Sequence, residues 1–399
     1  MSHLSSEVDA HRFDRGHLSS EQREREGKAT PVLPVEGATP APIIGTYRVR
    51  RFGALIALLW VCYGCAASPA KRPELFWPGA PEEPRIQFIK SVSSEADVEK
   101  PSFGKWLKAI LTGPEPKAGL VKPYAVHADR EGRLLVADSA WGKILVFDFK
   151  NNGFFIIGVD GPGVLKQPQG VTTDSAQRIY VTDVLEKRGV VYDHSGKFLF
   201  AFGEHGKLEW PVGIALNESL KRIYVTDTRR HSISVFDMQD GKFLFEFGGR
   251  GTEEGKFNFP INLAVDKNGK VYVMDMFNFR VQIFNADGKF EFKFGSVGDG
   301  LGQFSKPKGI ALDSEGHIYV ADAAFNNIQI FDQEGRLLLF FGELGSRNGQ
   351  FWLPAGMDID ANDLIYVADQ YNHRINIYQY LGERYKKQQQ AQEKKAKAG

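Results

Sequence analysis

The chain has 399 residues, with 50 basic and 49 acidic side chains and a formal net charge of +1. Residues 1–65 hold eight Lys/Arg and seven Asp/Glu, and the tail from Glu383 holds six and two, leaving 36 basic and 40 acidic residues in between. A slightly acidic body lacks the cationic footprint that dominates affinity for RNA or DNA. The two cysteines, Cys62 and Cys65, both lie near the front, which excludes a disulfide scaffold, a Cys-ligated metal site and a haem-attachment motif from the body.

Residues 1–46 are polar, then Pro-rich, with no helical or strand period, and read as a disordered or mis-annotated leader. The basic cluster at Arg48, Arg50 and Arg51, the apolar run Phe52–Cys62 and the small residues around Gly64 read as a signal peptide over 47–65. The run is too short for a spanning helix of about 20 residues. Cys65 directly after Gly64 resembles the lipobox of bacterial lipoproteins, although Cys62 stands where Leu is usual. That resemblance implies a diacylated Cys65 as the mature N-terminus, and Ala66 after it favours the outer membrane. The expected address is therefore export and lipid anchoring in the cell envelope. With so long a leader, translation is expected to begin at Val49. Residues 66–83 carry four prolines and read as a semi-rigid tether.

From Pro84 onward one pattern recurs. Val136-Ala137-Asp138, Val181-Thr182-Asp183, Val225-Thr226-Asp227, Val273-Met274-Asp275, Val320-Ala321-Asp322 and Val367-Ala368-Asp369 place aspartates 45, 44, 48, 47 and 47 residues apart. Prolines keep the same beat at Pro123, Pro168, Pro211, Pro260, Pro307 and Pro354. A period between about 40 and 50 residues is that of a propeller blade. Within a copy, short β-branched and aromatic runs alternate with Gly, Asp and Asn, as in Gly309–Asp313, His317–Ala321, Asn327–Asp332 and Arg336–Phe341, which predicts four strands. Six copies predict an all-β, six-bladed β-propeller over 84–380. The sixth copy lacks a fourth strand, so Pro84–Val92 is expected to close the ring as the outer strand of the last blade. Ser102–Leu111 places Phe103, Trp106, Leu107, Ile110 and Leu111 on one face of a helix, expected to pack on the propeller body. Residues 381–399 read as a solvated basic tail.

The repeat resembles the NHL repeat, most clearly at Val367–Tyr378 with its Tyr371-Asn372-His373-Arg374 core, and at Met274–Val281. With the lipobox, the chain resembles bacterial NHL-repeat lipoproteins, some of which accompany multihaem cytochromes in envelope complexes. The resemblance also implies two enzyme classes to test. An amidating lyase would need zinc held by histidines from several blades, yet the inner strands offer Val171, Ile214, Leu263, Ile310 and Met357, with His127 as a lone histidine. His194, His205, His231, His317 and His373 fall in turns or at strand ends without shared spacing. A lactonase-like site would ring calcium with carboxylates, but Asp358 and Asn262 are too few for its six to eight oxygen ligands. No cofactor, metal, nucleic acid or small-molecule substrate is therefore expected.

A binding platform for another envelope protein fits better. Turns after first and third strands are short, whereas the loops between second and third strands and between blades share the opposite face. The second-to-third loops carry Trp141, Arg229, Arg230, His231, Phe277, Phe279, Phe325, Tyr371 and His373, and exposed aromatics with Arg are the composition of interface hot spots. For Phe279 and His373, which stand in the repeat's own motif, packing between neighbouring blades is the competing expectation. The repeated Asp at the end of each second strand is expected to be structural, accepting hydrogen bonds across the turn that follows.

Overall fold

The computed structural model describes residues 74–100, 103–113 and 116–398. The expected leader, the expected signal peptide and Cys65 lie outside them. Six antiparallel sheets follow one another along the chain. Their inner strands are Pro123–Ala128, Pro168–Thr173, Pro211–Asn217, Pro260–Val265, Pro307–Leu312 and Pro354–Ile359, which open blades 1 to 6. Strand order within blades 1 to 5 is the order of the chain, and the inner strands of neighbouring blades pack side by side around one axis.

Second strands are buried along their whole length, as in Val271–Asp275 and Ile318–Asp322, or all but their first residue, as in Arg222–Asp227 and Leu364–Asp369. Each is covered on both faces because each blade is covered on both sides by its neighbours. The core is accordingly six apolar clusters lying between blades, with no single centre. The tyrosine at the middle of the second strand is part of this packing. Tyr180 and Tyr319 donate their hydroxyls to Asp174 and Asp313 at 3.0 and 3.1 Å, satisfying polar atoms whose burial would otherwise cost about 1–3 kcal/mol each. Burial, reinforced by those carboxylates, pushes both phenols far up. Tyr272, which bonds Gln333 at 2.9 Å, is pushed up to about 12 by burial.

The fourth strand of blade 6 comes from the other end of the body. Ile86–Val92 pairs antiparallel with Arg374–Tyr380, Ile86 opposite Tyr380 and Val92 opposite Ile375. A fifth, two-residue strand, Phe76–Trp77, pairs outside it. The packed structure thus begins inside the segment that its prolines mark as tether. The reason is the aromatic pair between those prolines: the Trp77 ring lies 5.9 Å from both Phe341 and Tyr378.

The helix spans Phe103–Thr112, but Leu107, Ile110 and Leu111 are exposed. The expectation that its apolar face packs on the propeller fails for these three residues. A second helix, Glu383–Ala398, is tied to blade 5 where the Glu383 N–H donates to Glu315 Oε1 at 2.8 Å. Lys386 pairs with Glu83 at 3.1 Å.

Candidate binding face and axial channel

The repeated aspartate builds the long-loop face. Asp138 accepts the Val121 and Lys122 N–H groups of the preceding inter-blade linker at 2.7 and 2.9 Å, and those of Ala140 and Trp141 in the following turn at 3.1 and 3.0 Å. Asp322 does the same for Ser305, Lys306, Ala324 and Phe325. One carboxylate therefore fastens two loops of one blade, a wider reach than the single turn expected from sequence. In blades 4 and 6 an arginine joins it. Arg280 pairs with Asp275 at 2.9 Å and donates to the carbonyls of Thr252, Glu253 and Lys256, while Arg374 pairs with Asp369 at 2.8 Å and reaches Ser346, Arg347 and Gln350. Burial raises the carboxyls of Asp227, Asp275 and Asp369, and these donors offset only part of the rise. The arginines stand in the repeat's own motif, and their role as linker clamps was not read from the sequence. The only signal was their position five residues after the aspartate.

On this frame the residues singled out by sequence divide. Trp141, Arg229, Arg230, Phe277, Tyr371 and His373 are exposed. Three sets form aromatic ledges between a second-to-third turn and the linker entering the same blade. Arg229 lies over the Trp210 ring at 4.0 Å, Phe277 packs on Phe259 at 5.0 Å, and Tyr371 lies 5.7 Å from Trp352 at 33°. Arg230 pairs with Glu246 at 3.3 Å, and the His373 ring bonds the Val121 carbonyl. Phe325 is half-buried.

Two residues turn inward. His231 is 8% exposed, packs edge-on against Phe259 at 4.8 Å and accepts the Phe259 N–H on Nδ1 at 3.1 Å. Phe279 is half-buried against the cluster between blades 4 and 5. Both occupy the left-handed residue that ends the turn, φ 55° and 53°, a position that His373 shares while remaining exposed. Conversely, the sequence reading passed over Trp352, Leu301 and Leu344, all exposed in inter-blade linkers. Their signal was an apolar residue in a Gly- and Ser-rich stretch too irregular for a strand.

The channel is closed in by the inner strands. Near the long-loop end, burial pushes the Lys308 ammonium down to about 8, with Lys306 and Lys122 adding repulsion. Toward the short turns the strands leave a cavity of about 250 Å³, walled mainly by aliphatic side chains and by His127, Thr173, Glu218, Asn262 and Asp358. His127 Nδ1 lies 2.9 Å from Asp358 Oδ2, and its Nε2 lies 2.9 Å from Thr173 Oγ1. Asp358 Oδ2 also accepts the Ala128 N–H at 2.9 Å. The lone histidine and the lone acidic departure noted in the inner strands therefore meet, across the junction of blades 6 and 1. Asn262 instead donates to the Lys308 carbonyl at 3.1 Å.

Comparison with known proteins agrees with this architecture. A family model described as "6-bladed beta-propeller" matches residues 256–397, and one for the NHL repeat matches 208–236. Protein brain tumor of Drosophila melanogaster is 32% identical over 128 residues, 31% of this chain and 12% of that protein. NHL repeat-containing protein 2 of Gallus gallus is 32% identical over 102 residues, 22% of this chain and 14% of that protein. NHL repeat-containing protein 3 of Homo sapiens is 32% identical over 160 residues, 36% and 45% of the two chains. The chain thus spans well under two thirds of each. Among solved structures, a streptogramin B lyase superposes with a TM-score of 0.51 at 14% identity, covering 65% of this chain and 94% of its own. An auxiliary nutrient binding protein from Bacteroides ovatus also gives 0.51 at 14% identity, covering 65% and 70%. At that identity the likeness is one of fold.

Proposed function

Starting from a six-bladed β-propeller that carries NHL-repeat sequence, we propose that the chain is a protein-binding platform whose partner docks on the long-loop face. The observation that carries this reading is the set of aromatic ledges on that face. Large rings exposed on one side and braced by a second ring or an arginine are already ordered, so a partner that buries them loses little additional side-chain entropy. Lys122, Lys306 and Lys308 give the centre of the face a cationic character, which suits a partner presenting an acidic group there. The exposed helix face at Leu107, Ile110 and Leu111 offers additional apolar surface.

The lipobox adds an address to the proposal: export, lipid anchoring at Cys65, and a partner within the cell envelope, with a redox or cytochrome complex as one member of that class. Mild detergent extraction and affinity capture of the native protein would identify what co-purifies. The combined variant Phe277→Ala, Tyr371→Ala, Trp352→Ala should then release that partner while keeping the wild-type unfolding midpoint. Undiminished capture by a folded triple variant would move the site elsewhere. Intact-mass analysis of the membrane form tests the anchor, and a peptide recovered from residues 1–46 would contradict a translation start at Val49.

A further inference from the structure

We propose that Thr173, His127 and Asp358 form a proton relay that makes the Thr173 hydroxyl a nucleophile toward small uncharged esters and related acyl or phosphoryl electrophiles entering the channel. The site lies near the short turns and is independent of the long-loop face.

The argument begins with how different this trio is from the rest of its ring. The residue four positions after each strand-opening proline is His127, Thr172, Ala215, Ala264, Ala311 and Asp358 in blades 1 to 6. Thr173 follows in blade 2, where the other blades have Ala128, Leu216, Val265, Leu312 and Ile359. A six-fold frame has no need of hydrogen-bonding side chains there, since three copies manage with alanine. Thr173, His127 and Asp358 occupy three adjacent blades, and His127 touches both of the others.

Geometry then assigns the protons. An ionised Asp358 can only accept, so the ring nitrogen beside it, Nδ1, carries hydrogen. In the neutral imidazole that leaves a lone pair on Nε2, and the hydroxyl 2.9 Å away, Thr173 Oγ1, must donate to it. Asp358 is itself held by the Ala128 N–H. A hydroxyl within hydrogen-bond reach of a base, with that base oriented by a third group, is the arrangement that activates a nucleophile. All three residues are partly exposed and line the cavity.

The reaction class follows. Thr173 Oγ1 bonds to the acyl carbon as its proton passes to His127 Nε2. The carbon–oxygen bond to the alcohol breaks, and the alkoxide leaves with that proton. Water then attacks the acyl-threonine, using the same base, and releases the acid. The walls select the substrate. Val171, Ile214, Leu263, Ile310 and Met357 make them aliphatic, about 250 Å³ admits only a small molecule, and the carboxylates of Asp358 and Glu218 disfavour anions.

The purified full-length chain would be treated with diisopropyl fluorophosphate, which forms an oxygen–phosphorus bond, releases fluoride and gives the hydroxyl proton to the base. Intact mass and peptide mapping should show one adduct, on Thr173. Labelling should be absent in Thr173→Val, retained in Thr173→Ser, and about a hundredfold slower in His127→Gln. Asp358→Asn should also be slower and serves if His127→Gln does not fold. A relay that only fastens blades 6, 1 and 2 predicts no labelling in either the wild type or Thr173→Ser. That result, an adduct at another residue, or an unchanged rate in both base-side variants would overturn the proposal.

Discussion

Ring closure by the N-terminal strand can be tested by weakening both ends of that strand. Ile86 and Val92 are each fully buried, Ile86 in the cluster between blades 5 and 6 and Val92 in that between blades 6 and 1. Replacing Ile86 by Ala removes buried groups and leaves a cavity, a change worth about 3 kcal/mol, and Val92→Ala should cost about 2 kcal/mol. Six strand steps separate the two by about 20 Å and they share no cluster, so the effects should add to about 5 kcal/mol. For a propeller of this size that corresponds to a fall of roughly 8 °C in melting temperature. Ile89, exposed in the same strand, is the matched control, and Ile89→Ala should change stability by less than about 0.5 kcal/mol. Urea titration followed by circular dichroism reads all three variants. If the double variant unfolds at the same urea concentration as Ile89→Ala, the strand does not close the ring in solution.

Two further predictions rest on single contacts. His317 donates to Asp313 at 2.7 Å, and that bond raises its pKa above the ordinary 6.5. The folded state therefore holds this proton more tightly than the unfolded state. The stabilisation is fully present below pH 6.5 and is lost as pH rises through the folded value. Melting temperatures measured across that window should decline in the wild type and less steeply in His317→Gln; parallel profiles would show that the histidine contributes no linkage. In blade 5, a Cβ on Gly309 would overlap the Ala355 carbonyl oxygen of blade 6. Gly309→Ala should accordingly cost about 1–3 kcal/mol, and an unchanged urea midpoint would mean that the inner strands are not in contact there.

The blade was legible because its punctuation is local. The Asp and Pro beat, the turn glycines and the β-branched runs all act within one copy, so each copy repeats the same instruction. The site was legible only where exposure follows from being in a loop, as at Trp141, Phe277 and Tyr371. His231 misled because it and His373 hold the same left-handed place in their turns, yet one is buried against Phe259 and the other exposed, a difference set by the neighbouring linker and invisible in composition. His127 and Asp358 could be seen as departures from an apolar ring, but 231 positions separate them in the chain. Only the join between last and first blades makes them neighbours. The helix at 103–112 shows the converse case. Its apolar stripe was correctly seen, yet periodicity says that a face is apolar and not what covers it.

The same join has a topological consequence. The Leu381 N–H donates to the Arg85 carbonyl at 2.8 Å, so the strand that opens the propeller and the one that completes it end side by side. The order in which the blades are written along the chain is then separable from the order in which they pack. A short peptide joining residue 381 to residue 84, with new ends cut in an exposed short turn such as Asp287-Gly288, would leave all six blades with four strands, at the loss of the two-residue Phe76–Trp77 strand. The place where the ring begins is in that sense a property of the gene, and the ring itself has no first blade.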